Sequence, residues 1–165
     1  MNILVIGSGA REHCLVWKIS QSKEVDKIFA IPGNVGIAQI AQCEDISLSK
    51  ENFIKILDFI KKNKIDFTVI GPEAPLVEGI VDFLSEHGSL AFGPDKAAAQ
   101  IEGSKVFTKK LCKKYDIPTA HAAFFNKSEY GDAVAYINSL NSEKFPYVIK
   151  ADGLAAGKGG TAENN

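Results

Sequence analysis

Cysteine is scarce and unpatterned: Cys14, Cys43 and Cys112 are odd in number, far apart and free of any C-x-x-C spacing. That excludes a disulfide framework and fits reduced thiols in a cytosolic protein. Cys14 and Cys112 read as buried thiols, because neither has a neighbour that would activate a nucleophile. Histidine is as sparse, and His13, His87 and His121 lack metal-ligand spacing. An excess of one charge is missing as well. Nineteen basic against twenty acidic residues leave a formal net charge of -1, so no basic field exists to displace counterions from a nucleic acid. The clustered Lys109, Lys110, Lys113 and Lys114 read as a solvated helix face. No apolar run reaches the ~18 residues of a membrane span. The opening run has no basic lead, so it reads as a strand and not as a signal peptide. A cytoplasmic protein working away from membranes is expected.

Apolar residues are plentiful, 45% of 165, enough for one core and part of a second. Asn2–Gly7 is a β-branched run closed by glycine, and residues 11–20 can follow as a helix. Residues 27–31 form a second strand, ended by Pro32-Gly33. Ser49 is placed to cap a helix in which Phe53, Ile56, Leu57 and Ile60 recur at i, i+3, i+4 and i+7. Residues 66–71 are another strand. Leu76, Val77, Ile80, Val81 and Leu84 then line one face of a single helix that stops near His87-Gly88. Residues 89–93 give the fourth strand. Strands alternating with helices of this length specify parallel βαβ units, hence a Rossmann-like α/β domain over residues 1–101. Its glycine turns should collect along the sheet edge where open α/β sheets bind ligands.

Beyond that domain, the spacing predicts a Lys-rich helix over residues 103–115 and a strand over 121–125. A helix capped by Ser128 should follow, with Tyr130, Ala133, Val134 and Ile137 inward, and then the strand Tyr147–Lys150 and a glycine-rich loop. Residues 102–165 thus read as the first part of a second, incomplete domain. Trp17, Tyr115, Tyr130 and Tyr136 fall in helical patterns and read as core or part-core residues.

Four segments carry chemistry. Gly7-Ser8-Gly9-Ala10-Arg11-Glu12-His13 follows a strand and opens a helix, where glycines admit a close ligand and free N–H groups attract an anion. A dinucleotide fingerprint is disfavoured. Glu12 replaces the third glycine, and the second strand ends in Pro32-Gly33-Asn34 instead of an acid that would hold a ribose. A phosphate or phosphosugar site, or a tight turn alone, remains open. Gly71-Pro72-Glu73-Ala74-Pro75 ends a central strand; Glu73 either binds sugar hydroxyls or an amine, or complements the dipole of the next helix. Lys150 ends an apolar strand and precedes Asp152, Gly153, Gly157, Lys158 and Gly159, which suits nucleotide phosphates. The loop is not a Walker A sequence: Asp152 stands where its first glycine belongs, and Gly159 where Ser or Thr would meet the metal. Lys158 is nearly as well explained by solvation. Lys105 stands at a helix start, mildly unfavourable for the dipole; a ligand phosphate or plain exposure accounts for it.

Together these segments resemble the phosphoribosylamine–glycine ligase (glycinamide ribonucleotide synthetase) family of the ATP-grasp superfamily. The likeness rests on G-x-G-x-R-E-H from Gly7 to His13, P-G-N-x-G from Pro32 to Gly36, and G-P-E-x-P-L-x-x-G from Gly71 to Gly79. It continues with E-x-S-K-x-F-x-K from Glu102 to Lys109 and K-A-D-G-L-A-A-G-K-G from Lys150 to Gly159. The resemblance implies an enzyme in which ATP phosphorylates the glycine carboxylate. The amine of 5-phosphoribosylamine then attacks the acyl phosphate, giving glycinamide ribonucleotide, ADP and phosphate.

It implies Lys105, Lys150, Asp152, Gly153, Gly157, Lys158 and Gly159 on the ATP side. Gly7, Gly9, Arg11, Glu12, His13, Gly33, Asn34, Gly71, Pro72, Glu73 and Pro75 fall on the phosphoribosyl side. ATP and magnesium are the implied cofactors, with no magnesium ligand among these residues, and glycine and 5-phosphoribosylamine are the partners of a full-length monomer. No general base is required, since phosphorylation and positioning supply the rate. After Gly159 the polar residues 160–165 depart from the family pattern, and the adenine clamp and magnesium ligands are missing. These 165 residues alone are therefore expected to be inactive, with an unpaired sheet edge beside Lys150. Another ATP-grasp carboxylate–amine ligase and a non-catalytic phosphosugar-binding protein are the competing readings.

Overall fold

The computed structural model describes residues 1–140, 147–154 and 160–163. It divides into two compact units, residues 1–100 and 101–165.

In the first unit, β1 (Asn2–Gly7) is apolar at almost every position because both its faces are covered. Its even positions, Leu4 and Ile6, join Phe29 and Ile31 of β2 (Lys27–Pro32) and Ile70 of β4 (Phe67–Ile70) in one apolar layer. That layer is closed by α2 (Phe53–Lys62) through Phe53, Ile56, Leu57 and Ile60, and by Ile80 and Leu84 of α4 (Ile80–Glu86). The odd positions, Ile3 and Val5, join Ile28, Ala30 and Ile37 in a second layer with Val16 of α1 (Ala10–Ile19). Period-two alternation thus feeds two layers from one strand.

Five parallel strands run in the order β3-β2-β1-β4-β5, with β3 at Gln42–Cys43 and β5 at Ala91–Phe92. From β1 the chain steps outward to β2 and β3, then returns to β4 on the other side. The order therefore reverses between β1 and β4, the point beyond whose strand ends open α/β sheets bind their ligands. The Rossmann-like α/β reading holds, and β3 is a short addition that two residues of sequence could not announce.

The single helix expected over residues 76–84 is two: α3 (Glu73–Glu78) and α4, separated by Gly79 at φ +94°. Only glycine takes that left-handed conformation without strain. Gly79→Ala is expected to lower the unfolding free energy by about 1–3 kcal/mol; an unchanged urea midpoint would count against this. Helix α5 (Lys96–Gly103), absent from the sequence reading, was signalled by Asp95, whose Oδ1 accepts the Ala98 N–H at 2.7 Å.

Trp17 is 53% exposed and Cys14 is exposed too, against expectation. Helix α1 turns Val16 to the sheet, so residues one and two positions away face elsewhere. Ser49 begins a 3-10 turn, Lys50–Asn52, through which the chain enters α2; its hydroxyl donates to the Glu51 carboxylate instead of capping the backbone.

The second unit holds α6 (Lys105–Lys114), α7 (Tyr130–Ser139) and the antiparallel pair β6 (Tyr147–Lys150) and β7 (Gly160–Glu163). One side of β6 pairs with β7, Lys150 opposite Gly160, and in this two-stranded sheet no described strand pairs with its other side. The strand expected over residues 121–125 does not form. Phe124 and Phe125 are exposed, and no described strand pairs with them; aromatic β-propensity needs a neighbouring strand to be realised.

Asn126, and not Ser128, starts the turn into α7, its N–H donating to Glu129 Oε2 at 2.6 Å. Tyr115, Tyr130 and Tyr136 are 60%, 76% and 41% exposed, contrary to a core assignment. Helical period aligns residues on one face but does not supply what covers it. Among the described residues no helix is long and apolar enough to cross a membrane.

Candidate functional site: the glycine turns at the strand ends

Three turns close on one another at the carboxyl edge of the first unit's sheet. The Gly33 N–H donates to Gly7 O at 3.1 Å, and the Gly71 N–H to Ile6 O at 3.0 Å. The ends of β2, β1 and β4 are thereby locked in register where the strand order reverses. Glu12, in the first turn of α1, sends its side chain back into this junction. Its Oε2 accepts the Gly9 N–H at 2.6 Å, the carboxylate half of a capping box whose other half glycine cannot supply.

Glu12 is only 3% exposed. A Cβ on Gly7 would stand 2.7 Å from its Cδ, one on Gly71 2.6 Å from the same atom, and one on Gly9 2.9 Å from Oε2. Sequence reading took these glycines as room for a ligand. The structure shows that they first make room for Glu12.

Around that junction lie the other residues singled out from sequence. Arg11 donates to Glu73 Oε2 at 3.0 Å, joining the turn after β1 to the turn after β4. Pro72 caps α3 and Pro75 is buried within it. The backbone N–H of Glu73 itself, then the Arg11 guanidinium, hold the Glu73 carboxyl below its ordinary range. Asn34 donates to Ser8 O at 2.7 Å, while its own Oδ1 accepts the Ile37 N–H at 2.9 Å. It thus ties the turn after β2 to the turn after β1. His13 lies against Gly36, where a Cβ would stand 2.6 Å from its Cε1. Burial pushes the Cys43 thiol up, with a smaller opposing pull from the Asn34 N–H.

In the second unit three of the residues singled out from sequence, Lys105, Asp152 and Gly153, take part in a clamp. Asp152 accepts from Ser104 Oγ at 3.0 Å and from the Val106 N–H at 3.2 Å, so its carboxylate sits on the N-terminus of α6. Ser104 Oγ in turn accepts the Phe107 N–H at 3.0 Å, and Lys105 Nζ donates to Gly153 O at 2.7 Å. Gly153 takes φ +94° where the loop leaves β6. Lys150 is exposed and has no hydrogen-bond or ion-pair partner among the described residues. Gly157, Lys158 and Gly159 lie outside the described residues.

The Val106 N–H, with Ser104 and further backbone donors, keeps the Asp152 carboxyl below its ordinary 3.8. A depressed folded-state value stabilises above the unfolded value, and that stabilisation is lost as pH falls through the folded one. The Val106 amide resonance is therefore expected to titrate with a midpoint below 3.8 and to stay still in Asp152→Asn. A midpoint at or above the ordinary value would contradict the clamp.

The sequence profile of the phosphoribosylglycinamide synthetase N domain matches residues 1–102, and that of the same enzyme's ATP-grasp (A) domain matches residues 103–165. The chain belongs to the phosphoribosylglycinamide synthetase family. It is 50% identical over 159 residues to phosphoribosylamine–glycine ligase of Clostridium acetobutylicum, covering 96% of this chain and 36% of that protein. It is 53% identical over 161 residues to the Agrobacterium fabrum ligase, covering 98% of this chain and 36% of the relative. The crystal structure of the Thermotoga maritima ligase matches with a TM-score of 0.69 at 32% identity, over 98% of this chain and 36% of that one. The chain thus spans about a third of the length of these synthetases.

In this chain the turns at the ends of β1, β2 and β4 gather most of the residues that sequence singled out. A separate cleft of about 470 Å3, bounded by Ser20, Val25, Lys27, Ala38, Gln39 and Gln42, lies at the other end of β2. Its lining includes none of the singled-out residues. Sequence reasoning missed Ser104 as the link between α6 and Asp152, although a serine before a helix is a readable cap signal. It also missed Gly36 as the seat of His13. Among the described residues no group of three or more His, Cys, Asp or Glu could hold a metal ion.

Proposed function

We propose that this chain contributes a phosphoribosyl-binding domain over residues 1–101 and the opening of an ATP-grasp domain over residues 102–165. The enzyme they serve joins glycine to 5-phosphoribosylamine in the cytoplasm, giving glycinamide ribonucleotide, ADP and phosphate. Family membership supports this reading, and one structural observation carries it. The turns bearing Gly7–Gly9, Gly33–Asn34 and Gly71–Glu73 meet at the reversal point of the strand order, where α/β sheets receive ligands.

On this reading ATP supplies the phosphoryl group that activates the glycine carboxylate, and residues of this chain bind and orient. Arg11, with its side chain 73% exposed, offers a guanidinium to the phosphate of the sugar. Glu73, kept ionised beside it, accepts from sugar hydroxyls or from the amine. Asn34 and His13 wall the crevice on the β2 side. Lys150 and the loop from Gly153 take the nucleotide phosphates, with Lys105 and Asp152 holding the loop's base.

The direct test is ADP release by the whole enzyme, dependent on both glycine and 5-phosphoribosylamine. ADP release with a different acid and amine, and none with this pair, would favour another ATP-grasp ligase. Arg11→Ala is expected to raise KM for 5-phosphoribosylamine by about 10- to 100-fold, the loss of one charged hydrogen bond. Its kcat should stay within a few-fold, and an unchanged KM would remove Arg11 from the phosphate site.

A further inference from the structure

A helix N-terminus behind a glycine turn is where α/β proteins ordinarily seat a ligand phosphate, on backbone N–H groups that have no partner in the helix. In this chain that seat is taken. Glu12 Oε2 holds the Gly9 N–H at 2.6 Å, and the side chain is 3% exposed. Its carboxylate fills the space that Gly7, Gly9 and Gly71 leave by lacking a Cβ. Oε1, buried in the same junction, has no hydrogen-bond partner among the described residues. A buried carboxylate with one oxygen unpartnered is unfavourable for folding, so stability does not account for its presence. Its position does: it lies where the strand order reverses, between the ends of β1 and β4.

We propose that Glu12 is the built-in anion of the β1–α1 turn and, through it, a specificity-determining residue. It occupies the phosphate seat, so the crevice takes a ligand that turns hydroxyls or an amine toward Gly9 and carries its phosphate elsewhere. Two anions within about 4 Å repel strongly at the dielectric of a protein surface. Dinucleotides, whose pyrophosphate must rest on this turn, are shut out by the same carboxylate. Arg11, the residue before, is the exposed cation left to meet a phosphate at the crevice mouth. The inference deepens the phosphosugar reading above and rests on it only for the class of ligand.

The experiment titrates the 15N-labelled full chain with inorganic pyrophosphate and, separately, with ribose 5-phosphate. In the wild-type protein the Gly9 amide is expected to stay in place with pyrophosphate, because Glu12 already holds it. Glu12→Gln keeps the shape and an oxygen for Gly9 but removes the charge. It is expected to bind pyrophosphate about ten-fold more tightly or better, with a shifting Gly9 amide.

Equal pyrophosphate affinity in wild type and Glu12→Gln overturns the proposal. Should the variant not fold, the wild-type titration decides alone: a Gly9 amide that shifts and saturates with pyrophosphate overturns it. Ribose 5-phosphate separates the two questions. If it leaves the amides of Gly7, Asn34 and Gly71 unmoved, the phosphosugar reading fails, while the pyrophosphate result still reads the role of Glu12.

Discussion

Replacing Gly7 with alanine is expected to lower the unfolding free energy by roughly 3–5 kcal/mol, the sum of two separable effects. Gly7 sits at φ +128°, where an L side chain is strained whatever the space around it. An added Cβ would also stand 2.7 Å from Glu12 Cδ and 2.9 Å from Oε2, inside van der Waals contact. Urea unfolding of the four proteins in a double-mutant cycle with Glu12→Ala separates these effects. Removing the Glu12 side chain should relieve the collision but not the backbone strain, recovering about half of the loss. Gly71 gives the control. It has no positive φ, and its Cβ would stand 2.6 Å from Glu12 Cδ, so Glu12→Ala should rescue Gly71→Ala almost completely. Zero coupling energy at both positions would mean that the glycines do not exist to house the carboxylate.

Lys150→Ala is expected to reduce kcat/KM for ATP in the whole enzyme about 100-fold, mostly through KM, as the loss of one charge that binds nucleotide phosphates. The expectation comes from its place: an exposed lysine at the end of β6, where the glycine loop begins. Lys150→Arg should retain part of the activity, since charge is kept while the geometry changes. Lys105→Ala should behave differently. Its Nζ is already engaged with Gly153 O at 2.7 Å, so its loss should loosen the loop base and act on KM and kcat together. A Lys150→Ala enzyme with normal KM for ATP would remove Lys150 from the nucleotide side.

Much of the first unit was legible because its signals are local. A βαβ alternation can be read from periodicity alone, and the apolar runs of β1 and β2 already say that both faces are covered. Gly7, Asn34, Gly71 and Glu73 could be named because glycine, proline and acidic residues at strand ends carry turn chemistry with them. The second unit was less legible. Phe124 and Phe125 look like strand residues until a pairing partner is asked for, and Tyr130 looks like core until something must cover it. Both questions concern residues distant in sequence.

By itself, then, the sequence determined the alternation of the main strands and helices in the first unit, its parallel sheet, the family motifs and the turns at the strand ends. These follow from periods of two and 3.6 and from the conformational limits of glycine and proline. Only the tertiary structure decided what those turns hold. Glu12 read as a flaw in a glycine fingerprint; folded, it is a buried carboxylate set against Gly7 and Gly9, five and three positions before it, and against Gly71, 59 positions after it. For Lys105 and Asp152, which the family resemblance sets on the nucleotide side, the fold adds that Lys105 holds the Gly153 carbonyl and Asp152 the start of α6. A side chain's partner is set by which distant backbone comes within 3 Å of it, and that information exists only once the chain has closed on itself.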